Sequence, residues 1–182
     1  MTKENTLIKN TIIVTIGKIC TQLVSFFLLP LYTALLSTEE YGVVDLLNTL
    51  VNLIVPIFIM QMDQGIFRFL IENRDKEEKK NQLITVTMYF MAVQIVLYTA
   101  FFLLASPWIH NEYKYFLLSN MIAALLSTVM LQISRGLGDN FRYSVGSFLA
   151  GSITVVLNVV FIAGMRLGAY GMLAASFAGN MA

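Results

Sequence analysis

Apolar positions in this chain come in long unbroken runs rather than in alternation. A helix that crosses a bilayer needs about 20 mostly apolar residues, each adding about 1.5 Å of rise. The stretches 10–36, 41–71, 83–105, 115–134 and 143–165 meet that requirement. A sixth begins near Ala169 and is still apolar at Ala182, so the pattern predicts a chain cut inside its sixth helix. Runs such as Leu53-Ile54-Val55-Pro56-Ile57-Phe58-Ile59-Met60 lack the period-two alternation of a membrane strand. Lipid offers no water to an unpaired backbone, so these runs predict helices. The expected fold class is an all-α integral membrane protein, a polytopic helical bundle.

Composition agrees. Hydrophobic residues make up 57% of the chain and charged residues 13%, about half the charge of an average soluble domain. Mean hydropathy is +0.72. A net charge of +1 gives no reason to expect a nucleic-acid partner. The lone cysteine, Cys20, lies in an apolar run and excludes an intrachain disulfide. The one strongly charged stretch, ENRDKEEKKNQ from Glu72 to Gln82, predicts a solvated loop. With the N-terminus inside, Lys3, Lys9, Arg68, Arg74, Lys76, Lys79, Lys80, Arg135 and Arg142 fall on the cytoplasmic side, and only Lys114 and Arg166 outside. That asymmetry satisfies the positive-inside rule and predicts a cytoplasmic N-terminus. Trp108, Tyr113 and Tyr115 sit at one outer boundary, as interfacial aromatics do.

Polar residues inside the apolar runs carry the candidate chemistry. The first run holds Thr11, Thr15, Lys18, Gln22 and Ser25, spaced by threes and fours on one helical face. The second holds Asp45, Asn48, Asn52, Pro56 and Asp63 on one face as well. Thr87, Gln94 and Tyr98 lie in the third, and Ser144, Ser147, Gly151 and Asn158 in the fifth. Stripes on several helices imply a shared polar interior. For Ser and Thr, interhelical hydrogen bonding is the plainer account. For Lys18, Asp45 and Asp63, a mid-helix cost of at least about 2.5 kcal/mol points to function. Lys18 and Asp63 each lie about 12 Å from the cytoplasmic end of their helix, a matched depth that suggests an ion pair. Gln61, Gln64 and Arg68 form a second short stripe, and a guanidinium suits two-point binding of phosphate. Pro30 and Pro56 predict bends in the first two helices.

No catalytic signature accompanies these stripes. HExxH, GxSxG and a Gly-rich phosphate loop are absent, and neither a cofactor nor a metal site is expected. His110 sits beside Pro107 in an outer loop, and RGLGDN at 135–140 follows no strand, so nucleotide binding is not indicated.

The opening KNTIIVTIGKICTQLVSFFLLPLYTALLSTEEYGVVDLLNTL, with its lysine-bearing first helix, LLPLYT exit and STEEYG turn, resembles the start of polysaccharide flippases. MDQGIFRF at 62–69, ISRGLGDNFRYSVGS at 133–147 and GAYGMLAASFAGN at 168–180 resemble later parts of the same family in the same order. The resemblance is to the polysaccharide or O-antigen (Wzx-like) flippase family, a branch of the multidrug/oligosaccharidyl-lipid/polysaccharide exporter superfamily. It implies the N-terminal six-helix lobe of a two-lobe transporter, with 1–182 as one transmembrane lobe and the C-terminal lobe as its missing partner. It further implies an inner-membrane protein that flips undecaprenyl-pyrophosphate-linked oligosaccharide from inner to outer leaflet by alternating access. On that reading Lys18, Gln22, Asn48, Asn52 and Arg68 are substrate-binding candidates, and Asp45 and Asp63 are ion-coupling or charge-pair candidates. The expected partners are the lipid-linked oligosaccharide and membrane lipid. Two other functions fit the same pattern: a drug/cation antiporter of the superfamily, against which Lys18 argues, and a non-transporting cell-envelope assembly protein.

Overall fold

A computed structural model of the protein describes residues 28–182 together with Thr15, Ile19 and Phe26. The described residues form helices joined by short connections, with no strand among them. Residues 28–35 close the first helix, α1. Then follow α2 (Thr38–Ile59), α3 (Met62–Glu72), α4 (Glu77–Ala105), α5 (Lys114–Gly136), α6 (Asn140–Asn158) and α7 (Gly168–Met181). The last turns of α6 widen into a π-helical segment, Val159–Gly164. Four of these helices, α2, α4, α5 and α6 with its π extension, are long and apolar enough to cross a membrane. Their outward faces are greasy: on α4 alone Tyr89, Val93, Val96, Phe101 and Leu104 are exposed. In water that surface would drive aggregation. In a bilayer it meets acyl chains, and the protein spans the membrane with several helices.

Local sequence explains the starts and stops. Ser37 begins α2 with a capping box. Its hydroxyl accepts the Glu40 N–H at 3.2 Å, and its own N–H donates to the Glu40 carboxylate at 3.0 Å. The charged stretch after α3 is only partly a loop. Glu77 to Gln82 already form the first turns of α4, which starts six residues before the apolar run at Leu83. Glu77 and Glu78 complement the positive end of the helix, and Lys79 and Lys80 are good helix formers.

The larger departure from the pattern lies in 41–71. The single helix expected there is two. Met60 (φ 52) and Gln61 (φ 60) both take left-handed backbone, end α2 and restart the chain as α3. Pro56, one turn earlier, has already removed the amide that would bond the Asn52 carbonyl.

α5 is the hub and touches α2, α3, α4, α6 and α7. Its buried stripe of Met121, Leu125, Val129 and Ile133 anchors the main core cluster, which reaches Leu70 of α3 and Leu173 of α7. Small residues set the closest approaches. Gly136 of α5 lies against Leu70, where an added Cβ would come within 2.9 Å of the leucine side chain. Gly171, Ala175 and Gly179 are buried at steps of four along α7. A Cβ on Gly179 would overlap the Thr154 hydroxyl of α6 and come within 2.8 Å of the Ala150 carbonyl. This small-residue seam is how membrane helices gain van der Waals contact without a hydrophobic drive between them.

Gly179→Leu is therefore expected to destabilise the bundle by about 1–3 kcal/mol through overpacking. Gly42 on α2 faces open space, and Gly42→Ala is expected to be neutral or stabilising by up to about 1 kcal/mol. Thermal unfolding of the detergent-solubilised variants measures both, and equal melting temperatures for the two would contradict the seam.

Candidate functional site

The polar residues of several helices do converge. A cavity of about 680 Å³ is walled by α2, the α2–α3 break, α5, α6 and α7. From α2 come Asn48, Asn52 and Pro56, and from the break and the start of α3 come Gln61, Asp63 and Gln64. α5 supplies Asn120 and Thr128, α6 supplies Thr154, and α7 supplies Ser176 and Asn180. The site lies well along its helices and not at their ends. Asn48 is about 15 Å along α2 from its start, Thr128 about 21 Å along α5 and Ser176 about 12 Å along α7.

The wall's hydrogen-bonding capacity divides into spent and unspent groups. The hydroxyls are spent as donors on their own helices: Thr128 to the Ala124 carbonyl at 2.7 Å, Thr154 to Ala150 at 2.9 Å and Ser176 to Met172 at 3.0 Å. Each still offers oxygen lone pairs as an acceptor. Asn120 is a structural clamp. Its Nδ2 donates to the Phe116 carbonyl at 3.0 Å and across to the Leu173 carbonyl of α7 at 3.2 Å. Those two carbonyls fix the amide's orientation, since a flip would set oxygen against oxygen. Its Oδ1 is buried and has no partner among the described residues. The side chains of Asn48, Asn52, Gln61 and Asn180 make no hydrogen bond to any described residue. They are uncommitted amides, each with two donors and an acceptor to offer.

Asp63 is the only ionisable side chain in the wall among the described residues. It sits in the first turn of α3, half-buried, and its carboxylate accepts from Gln64 Nε2 at 2.8 Å. The break that presents it is held from outside the cavity, where buried Gln94 of α4 directs Nε2 at the Met60 sulfur, 3.7 Å away.

Of the residues singled out in the sequence, Asn48, Asn52 and Asp63 line this cavity, as do Pro56, Gln61 and Gln64. Arg68, one turn further along α3, does not. It is exposed, and its Nε donates to Glu72 at 2.9 Å. Asp45 is exposed on α2 and outside the wall. Lys18 and Gln22 lie outside the described residues. Thr87, Gln94 and Tyr98 face the protein interior on α4 instead of the cavity. Sequence reasoning missed Asn120, Thr128, Thr154, Ser176 and Asn180. The available signal was the same as for α2: Asn120, Ala124 and Thr128, and likewise Ser176 and Asn180, recur every four residues inside apolar runs.

A family model described as polysaccharide biosynthesis protein matches residues 7–182. The chain belongs to that family. No curated protein and no solved structure matches it. The family matches the resemblance carried by the STEEYG turn and the MDQGIFRF segment. Within this polysaccharide biosynthesis protein, Glu40 of that turn caps α2, and the segment from Met62 is the restart after the broken helix.

The left-handed pair is a test of the site's architecture. A non-glycine residue at positive φ costs about 1 kcal/mol or more, and a β-branched one costs most. Gln61→Gly is expected to raise the melting temperature by relieving about 1 kcal/mol, and Gln61→Ile to lower it by at least as much. The reverse order would mean that the chain does not break at this point.

Proposed function

We propose that this protein moves a lipid-linked saccharide across the membrane for polysaccharide assembly. The observation that carries the reading is the set of uncommitted amides, Asn48, Asn52, Gln61 and Asn180, around one cavity in a bundle whose outer faces are apolar. Unpaired amides are costly in a dry interior. They are useful where water and a hydroxyl-rich ligand alternate. Family membership supports a role in making polysaccharide.

On this reading the carrier is undecaprenyl pyrophosphate, with its apolar tail in the lipid and its saccharide in the cavity. The N-terminus is cytoplasmic, the membrane is the inner membrane, and the load passes from the inner to the outer leaflet. The described residues form the N-terminal lobe, and a second lobe closes the cavity and alternates its opening. Lys18 and Gln22 of the first helix complete the wall, Lys18 pairing with Asp63 or meeting the pyrophosphate. The cavity's amide-rich character favours this reading over the drug/cation antiporter, whose ligands carry few hydroxyls to satisfy it.

Replacing Asn52 and Asn180 together with leucine is expected to reduce translocation by at least about tenfold, the effect of losing about 1.4 kcal/mol of polar contact. Abundance in the membrane should be unchanged. Cells carrying the variant should accumulate lipid-linked saccharide in the cytoplasmic leaflet, measured by leaflet-selective chemical labelling. Wild-type distribution between leaflets would refute a transport role for this wall. The Lys18→Ala, Asp63→Ala double variant tests the pair, and full activity would remove any important role for it.

A further inference from the structure

We infer that the junction of α3, α5 and α6 holds the headgroup of an anionic membrane phospholipid, gripped by Arg74 and Arg135. The inference does not rest on the translocation reading, because it concerns one end of the bundle, outside the cavity. Three observations support it. First, both guanidiniums are fixed in place without being neutralised. The Arg135 Cζ lies 4.6 Å from the ring centre of Phe67 in α3 and 5.7 Å from that of Tyr143 in α6. A ring face steadies a cation but brings no counter-charge. Arg74 donates from Nε to the Gly136 carbonyl at 3.3 Å, and its guanidinium lies across Gly138 (φ 85), where an added Cβ would come within 3.0 Å of Cζ. The terminal nitrogens of Arg74 have no hydrogen-bond partner among the described residues.

Second, the acids at this end are engaged elsewhere. Glu72 pairs with Arg68, Glu77 with Lys80 and Asp139 with Arg142, each on its own stretch of chain. Asp75 and Glu78 are exposed and make no ion pair among the described residues. In the sequence before residue 28, Glu4 is the only acid. Third, the junction lies at headgroup depth. Arg135 follows Lys114 by about 32 Å along α5, just over the hydrocarbon thickness of about 30 Å. Leu137 and Phe141 beside it are exposed, Phe141 by 79%, and offer apolar contact to acyl chains. A guanidinium fork grips a phosphate at two points. Apolar side chains next to that fork suit a phosphate that carries a lipid. Snorkelling accounts for arginines at helix ends. It does not account for two of them anchored on a carbonyl and on ring faces between helices, while the neighbouring cations take the acids. Two such arginines favour an anionic over a zwitterionic headgroup by roughly thirtyfold.

The test purifies the full-length protein in detergent with equal amounts of phosphatidylglycerol and phosphatidylcholine, and native mass spectrometry reads the lipid that stays bound. The wild type should retain phosphatidylglycerol in preference by about tenfold or more. Arg74→Gln combined with Arg135→Gln should bring the ratio towards one. Arg142→Gln, which removes a cation already paired with Asp139, should keep it. Equal retention of the two lipids by the wild type overturns the inference, and that comparison holds even if a variant does not fold. An undiminished preference in the double variant overturns it as well. So does an equal loss in Arg142→Gln, which would make the attraction one of diffuse charge. Inorganic phosphate, added against chloride of matched ionic strength, should leave the bound phosphatidylglycerol in place. Its displacement would assign the two arginines to a soluble phosphate and overturn the lipid site.

Discussion

Backbone hydrogen bonding in hydrocarbon is the constraint from which the rest of this structure follows. An N–H or C=O without a partner costs several kcal/mol in lipid, so spanning segments must be helices. Non-helical backbone at that depth survives only where protein buries it or water reaches it. The break at Met60 and Gln61 is the place where this chain departs from continuous helix in the middle of an apolar run, and it departs beside the cavity: Ile59, Gln61 and Asp63 are all part of the wall. The break and the cavity therefore explain each other. A polar, open space lets the helix stop, and the stop lets α3 re-aim so that an acid and two glutamines face that space.

The same constraint shapes how the helices are joined. With apolar solvent on the outside, burying leucine gains little over leaving it in lipid, and association depends on close fit and interhelical hydrogen bonds. α5 supplies both. Gly136 lets α3 approach to contact with Leu70, and Asn120 reaches across to the α7 carbonyl of Leu173. At one end of the bundle Arg74 donates to the Gly136 carbonyl at 3.3 Å, and Arg135 lies 4.6 Å over the Phe67 ring. The loop after α3 and the loop after α5 are thus tied together, which fixes the far end of α3 while its near end borders the cavity. A short helix held in this way positions Gln61, Asp63 and Gln64 through the rigidity of the hub, with the Gln64–Asp63 hydrogen bond added locally.

Much of this was legible in the sequence, for a physical reason. Apolar runs of spanning length predict helices because lipid permits little else, and the runs from Thr38, Lys114 and Asn140 begin within three residues of expectation. Asn48, Asn52 and Pro56 reached the wall because helical periodicity fixes which side chains share a face, whereas Asp63 lies beyond the break and reaches it from the first turn of α3. The helix break was not legible. Left-handed backbone is usually marked by Gly or Asn, and here Met60 and Gln61 adopt it, supported by Gln94 from a helix more than thirty residues later. Tertiary contact overrode local preference. Arg68 shared a stripe with Gln61 and Gln64 in the sequence, but one more turn of α3 carries it past the cavity and into reach of Glu72. Asn120 and Asn180 were overlooked because a single amide in a long apolar run looks like packing glue, which for Asn120 is partly what it is.

That amides outnumber charges in this wall among the described residues suits a site that must be empty as well as occupied. A charged side chain in a membrane interior costs at least about 2.5 kcal/mol unless it is paired, and a partner that satisfies it also competes with any ligand. An amide in a wet cavity exchanges water for ligand at a net of only about 0.5–1.5 kcal/mol per hydrogen bond. On the translocation reading, several such bonds, from Asn48, Asn52, Gln61 and Asn180, add up to recognition while each remains easy to break. On that reading release is built into the chemistry of the wall.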